Sequence, residues 1–237
     1  MALRIKNSIP NTITCLNLLS GCLACILAFH YAEPMGSLYG FQWAFICIGA
    51  ATVFDFADGA SARILHAYSA MGKELDSLAD LVSFGLAPAL LMFNAITLAF
   101  PSASGLNPWA FGALLIAVLG ALRLAKFNID TRQTTSFIGL PIPSNAIFWI
   151  GFLAWAHTHG MPPLWLTLII VAAVSLLMVS ELPMFSLKFK NFAIKENLRR
   201  YIIMATAAVL VATFGVSGLA WTILVYILIS ALWPQKA

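Results

Sequence analysis

Residues 55–80 read DFADGASARILHAYSAMGKELDSLAD, and this acidic stretch joins two long apolar runs. It contains five of the nine acidic residues of the chain, whereas the residues that precede and follow it are almost all apolar. One helix needs about 20 predominantly apolar residues to cross a lipid bilayer. The pattern therefore predicts two membrane-spanning helices, joined by a short connection, whose acidic ends lie close together.

The composition extends this prediction to the whole chain. Of its 237 residues, 61% are hydrophobic and 9% are charged, and the mean hydropathy is +0.92. Soluble domains carry about 25% charged residues, so these values exclude an ordinary soluble domain. We predict an all-α fold, a polytopic membrane helical bundle that forms one domain over residues 1–237. About eight transmembrane helices are expected, at approximately 9–31, 40–62, 73–99, 108–127, 142–158, 162–182, 200–215 and 217–233.

The distribution of basic residues predicts the orientation of this bundle. With eight spans and a cytosolic N-terminus, all 13 Lys and Arg residues fall on the cytosolic side, as the positive-inside rule requires. Both termini and the acidic stretch are then cytosolic, in what we expect to be a bacterial inner membrane. The basic segment 188–200 has two interpretations: an interfacial helix on anionic lipid, or a plain cytosolic connection. No cleavable signal peptide is expected, because the first apolar run continues past Ala28 without a cleavage site.

The spacing of the aspartates predicts a metal site. Asp55 and Asp58 are three residues apart, and Asp76 and Asp80 are four apart, so each pair shares one helix face. If the two helices are antiparallel neighbours, the four carboxylates converge, and such oxygen ligands suit Mg²⁺ or Mn²⁺. No zinc spacing with histidine is present. We interpret the cysteines as buried small apolar residues of the first two spans; they are Cys15, Cys22, Cys25 and Cys47.

Two glycines and an arginine accompany the aspartates. Gly59 and Gly72 leave room for close approach of a ligand to the backbone, and Arg63 can grip phosphate oxygens. Together with the carboxylates, these residues are suited to a metal-bound pyrophosphate. Each of them alone also has a plainer interpretation, as a solvated charge at a helix end or as a site of helix packing.

The same residues carry a family resemblance. The pattern Asp55-x2-Asp58-Gly59-x2-Ala62-Arg63-x8-Gly72-x3-Asp76-x3-Asp80 resembles the signature of the CDP-alcohol phosphatidyltransferases at every fixed position. Residues 10–17, PNTITCLN, look like the start of the first helix in that family. Residues 122–128, LRLAKFN, and 137–143, FIGLPIP, resemble its phosphatidylserine synthase branch.

The resemblance implies a membrane enzyme that transfers the phosphatidyl group of CDP-diacylglycerol to an alcohol and releases CMP. It implies two divalent cations held by Asp55, Asp58, Asp76 and Asp80, with Asp80 also acting as the general base. It further implies a homodimer among membrane lipids, with no nucleic acid as partner. The residues expected to contact the CDP-lipid are Asn11, Thr14, Gly59, Arg63, Ser69 and Gly72.

The acceptor expected from the resemblance is L-serine. Arg123 and Lys126 are candidates to hold its carboxylate, and Asn128 and Ser144 could orient the amino acid; alternatively, the two basic residues only anchor a span on the cytosolic side. Inositol, glycerol 3-phosphate and choline remain alternative acceptors. A membrane transporter is a further alternative, but it would need ionisable residues near the middle of several spans.

Overall fold

The computed structural model describes residues 2–103, 105, 107–130, 137–186 and 193–233. The described residues are mostly helical and belong to two compact units, Met1–Leu124 and Ala125–Ala237. The chain was predicted to be all-α, and the helices agree with this apart from four strands of two residues each.

The first unit is built around its N-terminal helix. Helix α1 packs against α2, α3, α4 and the π-helical turn that separates α3 from α4. The helical elements of this unit are α1 (Ala2–Phe29), α2 (Gly40–Leu65), α3 (Ala70–Asp80), the π-helical turn (Leu81–Leu86), α4 (Ala87–Ala99), a 3₁₀ segment (Pro108–Leu114) and α5 (Leu115–Ile129), which continues into the second unit. Between α1 and α2, the antiparallel strands β1 (Pro34–Met35) and β2 (Leu38–Tyr39) form a tight hairpin.

One close contact fixes α1 against the π-helical turn. A Cβ atom on Gly21 would overlap the backbone of Ser83, so a residue without a side chain is required for this approach. The helix from Ala70 to Ala99 is continuous but contains the wide turn just before Pro88. Proline lacks the N–H of the helical ladder, and departures from regular α-helix cluster at such positions.

The second unit contains the remaining helices and a second two-stranded hairpin. Strand β3 (Phe137–Ile138) pairs antiparallel with β4 (Pro183–Met184), and α9 packs against both α6 and α8. Buried Trp149 lies at the centre of α6 and donates from Nε1 to Asn145 Oδ1 at 3.0 Å. The helices are α6 (Ile142–His159), α7 (Leu164–Val179), α8 (Ile194–Phe214) and α9 (Gly218–Leu232).

Helices α8 and α9 form an antiparallel hairpin. Gly215 adopts a positive φ of 60° at the turn, close to the boundary between the spans predicted at 200–215 and 217–233. At the opposite end, Arg199 Nη1 donates to the carbonyl of Trp233 at 2.7 Å, and the guanidinium lies 4.9 Å from the centre of the Trp233 ring. The apolar run Asn197–Leu232 therefore folds back on itself.

Five helical segments of the described chain are long and apolar enough to cross a membrane: Ser8–Phe29, Gly40–Leu65, Ala70–Ala99, Pro108–Ile129 and Asn197–Leu232. They indicate an integral membrane protein. Helices α6 and α7 lie where the fifth and sixth spans were predicted, and α7 has only 16 residues, fewer than a span usually needs. The count of eight spans and the location of the termini stay predictions.

The predictions for the cysteines and for the basic segment 188–200 have different outcomes. Cys15 and Cys22 are exposed, so the expectation that all four cysteines are buried is wrong; hydropathy alone does not distinguish a lipid-facing position from a buried one. Of the basic segment 188–200, the part from 194 onward forms the start of α8. Residues 188–192 lie outside the described residues, as do Arg132 and the C-terminal residues 234–237.

Candidate active site

Three carboxylates from two helices converge in the first unit. Asp55 comes from α2, and Asp76 and Asp80 come from α3; one carboxylate oxygen of each lies within 4.8 Å of the others. The short connection 66–69 makes α2 and α3 neighbours, and the spacing of four residues places Asp76 and Asp80 on one face. The sequence predicted that four carboxylates converge; this cluster brings together three of them, and Asp58 is not a member.

The charge of this cluster requires compensation. Asp80 is buried, and Asp55 and Asp76 are half-buried. Two like charges about 4 Å apart repel by about 4 kcal/mol at an effective dielectric constant of about 20. An all-oxygen donor set of this kind fits a hard divalent cation, so the residues present agree with the expected Mg²⁺ or Mn²⁺.

Asp58 is held by a residue of the first helix. Its side chain is 6% exposed, and Oδ2 accepts a hydrogen bond of 2.6 Å from Thr14 Oγ1. Thr14 was predicted to contact the CDP-lipid and also borders the cavity described below. The structure therefore adds a contact between Thr14 and a predicted metal ligand that the sequence did not reveal.

Asp80 is held by a second residue of the same helix. Asn17 Nδ2 donates to Asp80 Oδ1 at 3.2 Å, and Ser83 Oγ donates to the backbone carbonyl of Asn17 at 3.0 Å. Neither Asn17 nor Ser83 was predicted as a site residue. The available signal was the presence of polar residues at 14 and 17, one turn apart inside an apolar run.

A cavity of about 210 Å³ opens beside the carboxylates. Residues from α1, α2, α3 and the connection 66–69 line it, with Asp58 and Asp76 in its wall. Four of the six residues predicted to contact the CDP-lipid border this cavity; they are Asn11, Thr14, Ser69 and Gly72.

The start of α3 forms one side of this cavity. Ser69 is the N-cap residue, and its Oγ accepts a hydrogen bond of 3.0 Å from the backbone N–H of Gly72. A Cβ on Gly72 would lie 3.0 Å from both Ser69 Oγ and Asn11 Oδ1, so glycine keeps this space open. Backbone N–H groups and the helix dipole make such an N-terminus favourable for a phosphate group.

Gly59 and Arg63 lie on α2, next to the cavity residues Asp58 and Ala62. Arg63 is exposed, and its Nη1 lies 3.7 Å from where a Cβ of Gly59 would be. The guanidinium thus folds back along the helix over Gly59. A long, exposed cation in this position can reach anionic groups in solvent or at the membrane surface.

The predicted serine-binding residues have different surroundings. Arg123 is 6% exposed on α5 in the first unit. In the second unit, half-buried Lys126 forms an ion pair with Glu181, with Nζ 2.5 Å from Oε1, and half-buried Asn128 follows on the same helix. Ser144 lies in the first turn of α6.

The fold is that of an integral membrane protein, and its carboxylate cluster beside a cavity could hold a metal ion. Residues 7–233 match the family described as CDP-alcohol phosphatidyltransferase, and the match extends over both units. The chain belongs to the CDP-alcohol phosphatidyltransferase family, which confirms the resemblance seen in the sequence.

Several curated relatives are named CDP-diacylglycerol–serine O-phosphatidyltransferase. The chain is 32% identical to that of Mycobacterium bovis over 234 residues, which cover 93% of this chain and 72% of the relative. It is 39% identical to that of Bacillus subtilis over 137 residues, 58% of this chain and 70% of the relative. It is 34% identical to that of Methanocaldococcus jannaschii over 175 residues, 74% of this chain and 72% of the relative.

Proposed function

We propose that this protein transfers the phosphatidyl group of CDP-diacylglycerol to the hydroxyl of L-serine and releases CMP. The observation that carries the proposal is the convergence of Asp55, Asp76 and Asp80 beside a cavity at the N-terminus of α3. The names of relatives from bacteria and an archaeon support serine as the acceptor.

Asp55, Asp58, Asp76 and Asp80 would hold two divalent cations, Mg²⁺ or Mn²⁺. When bound, such cations stabilise the negative charge that develops on a departing phosphate. The carboxylates repel one another when no cation is bound, so bound cations would stabilise this close arrangement.

The CDP moiety would lie in the cavity at the start of α3. The N–H groups of that helix end, with Ser69 and Asn11, supply donors to phosphate oxygens. Gly72 leaves the space for them, and Arg63 beside Gly59 adds a positive charge from α2. The acyl chains of the lipid can remain in the bilayer while its head group is held at the membrane surface.

Asp80 would accept the proton of the serine hydroxyl as its oxygen attacks phosphorus. The new bond joins that oxygen to the phosphatidyl phosphorus, and the bond from phosphorus to the CMP oxygen breaks. Positioned general bases contribute about 10²–10⁴-fold to such rates. Arg123, Asn128 and Ser144 are proposed to hold serine. For Lys126, the ion pair with Glu181 favours the alternative role as an anchor of the helix.

We also propose that the two units act as one catalytic domain, that the protein is a homodimer in a bacterial inner membrane, and that the site faces the cytosol. The positions of the 13 basic residues support that orientation. A reporter enzyme fused after Ala237 should be active in the cytosol. Reporter activity on the outer side would contradict the orientation.

A product assay tests the function directly. The purified protein in detergent would receive CDP-diacylglycerol with serine, inositol, glycerol 3-phosphate or choline, and the lipid product would be identified. Phosphatidylserine is expected only in the reaction with serine. A different lipid would indicate another acceptor within the family, and no transfer with any alcohol would contradict the catalytic assignment.

A further inference from the structure

Asn17 lies at the centre of α1 and is completely buried, with 0% of its surface exposed. Its Nδ2 donates to Asp80 Oδ1 at 3.2 Å, across 63 positions of sequence. A buried amide in an apolar helix is costly unless it is hydrogen-bonded. The contact with Asp80 is therefore a feature that needs an explanation.

Stability alone does not account for this amide, because half of it is unsatisfied. Asn17 Oδ1 is buried and accepts no hydrogen bond from the described residues. An acceptor left unpaired in the interior opposes folding, and each one in a native structure calls for an account. A leucine of similar size would remove this unpaired acceptor, although it would also leave the buried Asp80 Oδ1 without the Asn17 donor.

The backbone at Asn17 is fixed relative to Asp80. Ser83, three residues after Asp80, donates from Oγ to the Asn17 carbonyl at 3.0 Å. One turn further along α1, Gly21 lies directly against the backbone of Ser83. The Asn17 side chain as donor and the Asn17 carbonyl as acceptor thus join α1 to the segment that carries Asp80.

We infer that Asn17 is a positioning residue for Asp80, an inference that rests on the proposed function. By engaging Oδ1, the amide fixes the plane of the carboxylate and directs Oδ2 towards the hydroxyl whose proton it accepts. The remaining carboxylates of the cluster come from Asp55 and Asp76, so Asn17 acts on one member of the set.

The test compares Asn17→Leu and Asn17→Ala with a control on the same helix, Ser20→Ala. Among the described residues, the Ser20 hydroxyl bonds only within its own helix, to the carbonyl of Leu16. Loss of a residue that orients a functional group costs about 10–100-fold in activity, so kcat should fall by that factor in both Asn17 variants. The KM for CDP-diacylglycerol should stay within about twofold, since the cavity residues are unchanged. The thermal unfolding midpoint should fall in both Asn17 variants, because the buried Asp80 carboxylate loses its donor, so kcat is measured at a temperature where each variant is folded.

A double-mutant cycle separates positioning from general damage. If Asn17 acts through Asp80, Asn17→Leu combined with Asp80→Asn should have the same rate as Asp80→Asn alone. Additive losses, or wild-type kcat in both Asn17 variants, would overturn the inference. Should Asn17→Leu fold poorly, Asn17→Ala carries the same cycle with a smaller side chain. A wild-type protein that made no phosphatidylserine would instead contradict the proposed function, and the cycle would be repeated with the alcohol that it does use.

Discussion

The hydroxyl of Thr14 donates to Asp58 Oδ2 at 2.6 Å, which joins the first helix to a carboxylate of the second. The same Oγ1 lies 3.0 Å from the carbonyl of Pro10 on its own helix. A hydroxyl has one proton, so these two acceptors share it, and the shorter distance belongs to the charged one. Helix α1, which is distant in sequence, therefore supplies a hydrogen-bond donor to the acidic stretch.

Replacement of Thr14 by valine should weaken metal binding. Valine keeps the shape of the side chain but leaves the buried Asp58 carboxylate without this donor. Hydrogen bonds to charged groups contribute about 1.5–3 kcal/mol, so Mn²⁺ affinity should fall by about 10–100-fold. Electron paramagnetic resonance titration of the purified protein measures this affinity. Thr14→Ser, which retains the hydroxyl, is the matched control, and equal affinities for the two variants would refute the role.

Removal of metal should stop the reaction. The converging carboxylates of Asp55, Asp76 and Asp80 offer only oxygen ligands, which suit Mg²⁺ or Mn²⁺. EDTA should therefore abolish transfer to serine, and Mg²⁺ or Mn²⁺ should restore it. Transfer is measured as CMP release together with the lipid product. Undiminished activity in a thoroughly metal-stripped sample would sink the metal-dependent mechanism.

A methyl group at Gly72 should obstruct the cavity. A Cβ there would lie 3.0 Å from Asn11 Oδ1 and from Ser69 Oγ, which is closer than ordinary contact. Small displacements near a reacting group have large effects, so Gly72→Ala should raise the KM for CDP-diacylglycerol by about 10-fold or more. Gly49→Ala is the control, because a Cβ at that position of α2 would meet no described atom within 4 Å apart from the neighbouring backbone of its own helix. Identical kinetics for the two variants would show that Gly72 has no role in binding.

The carboxylates of the site could be predicted from sequence because their spacing within each helix is local. The same holds for the turn at Gly215, where a short glycine-containing segment interrupts an apolar run. Asn17 and Ser83 could not be assigned, because their roles depend on which face of α1 meets the π-helical turn. In an apolar helix, lipid-facing and buried positions have similar hydropathy, so the sequence does not show which face packs against the protein. The exposure of Cys15 and Cys22 has the same cause.

The ion pair of Lys126 gives a way to choose between its two roles. Half-exposed pairs contribute about 0–1 kcal/mol, so if Lys126 only anchors the helix, Lys126→Met and Glu181→Gln should have equally small effects. We expect this result, with the KM for serine within about twofold of the wild type in both. A large rise in that KM for Lys126→Met alone would assign the lysine to serine binding.

Substitution of Asp80 by asparagine should separate chemistry from binding. Asparagine preserves the shape of this buried side chain, and its amide oxygen can still accept the hydrogen bond from Asn17 Nδ2, but it does not accept the substrate proton. Loss of a general base costs about 10²–10⁴-fold, so turnover with serine should collapse while CDP-diacylglycerol affinity is largely kept.

The Asp80→Asn variant is best compared with Asp55→Asn and Asp76→Asn, because Asp55 and Asp76 belong to the same cluster as Asp80. These variants should chiefly weaken metal binding, so raised Mn²⁺ should partly restore their activity but not that of Asp80→Asn. Near wild-type turnover in Asp80→Asn would require another base or bulk water. If Asp80→Asn lost lipid affinity as completely as Asp55→Asn and recovered with Mn²⁺, Asp80 would be chiefly a metal ligand, because a missing proton acceptor cannot be replaced by a higher metal concentration.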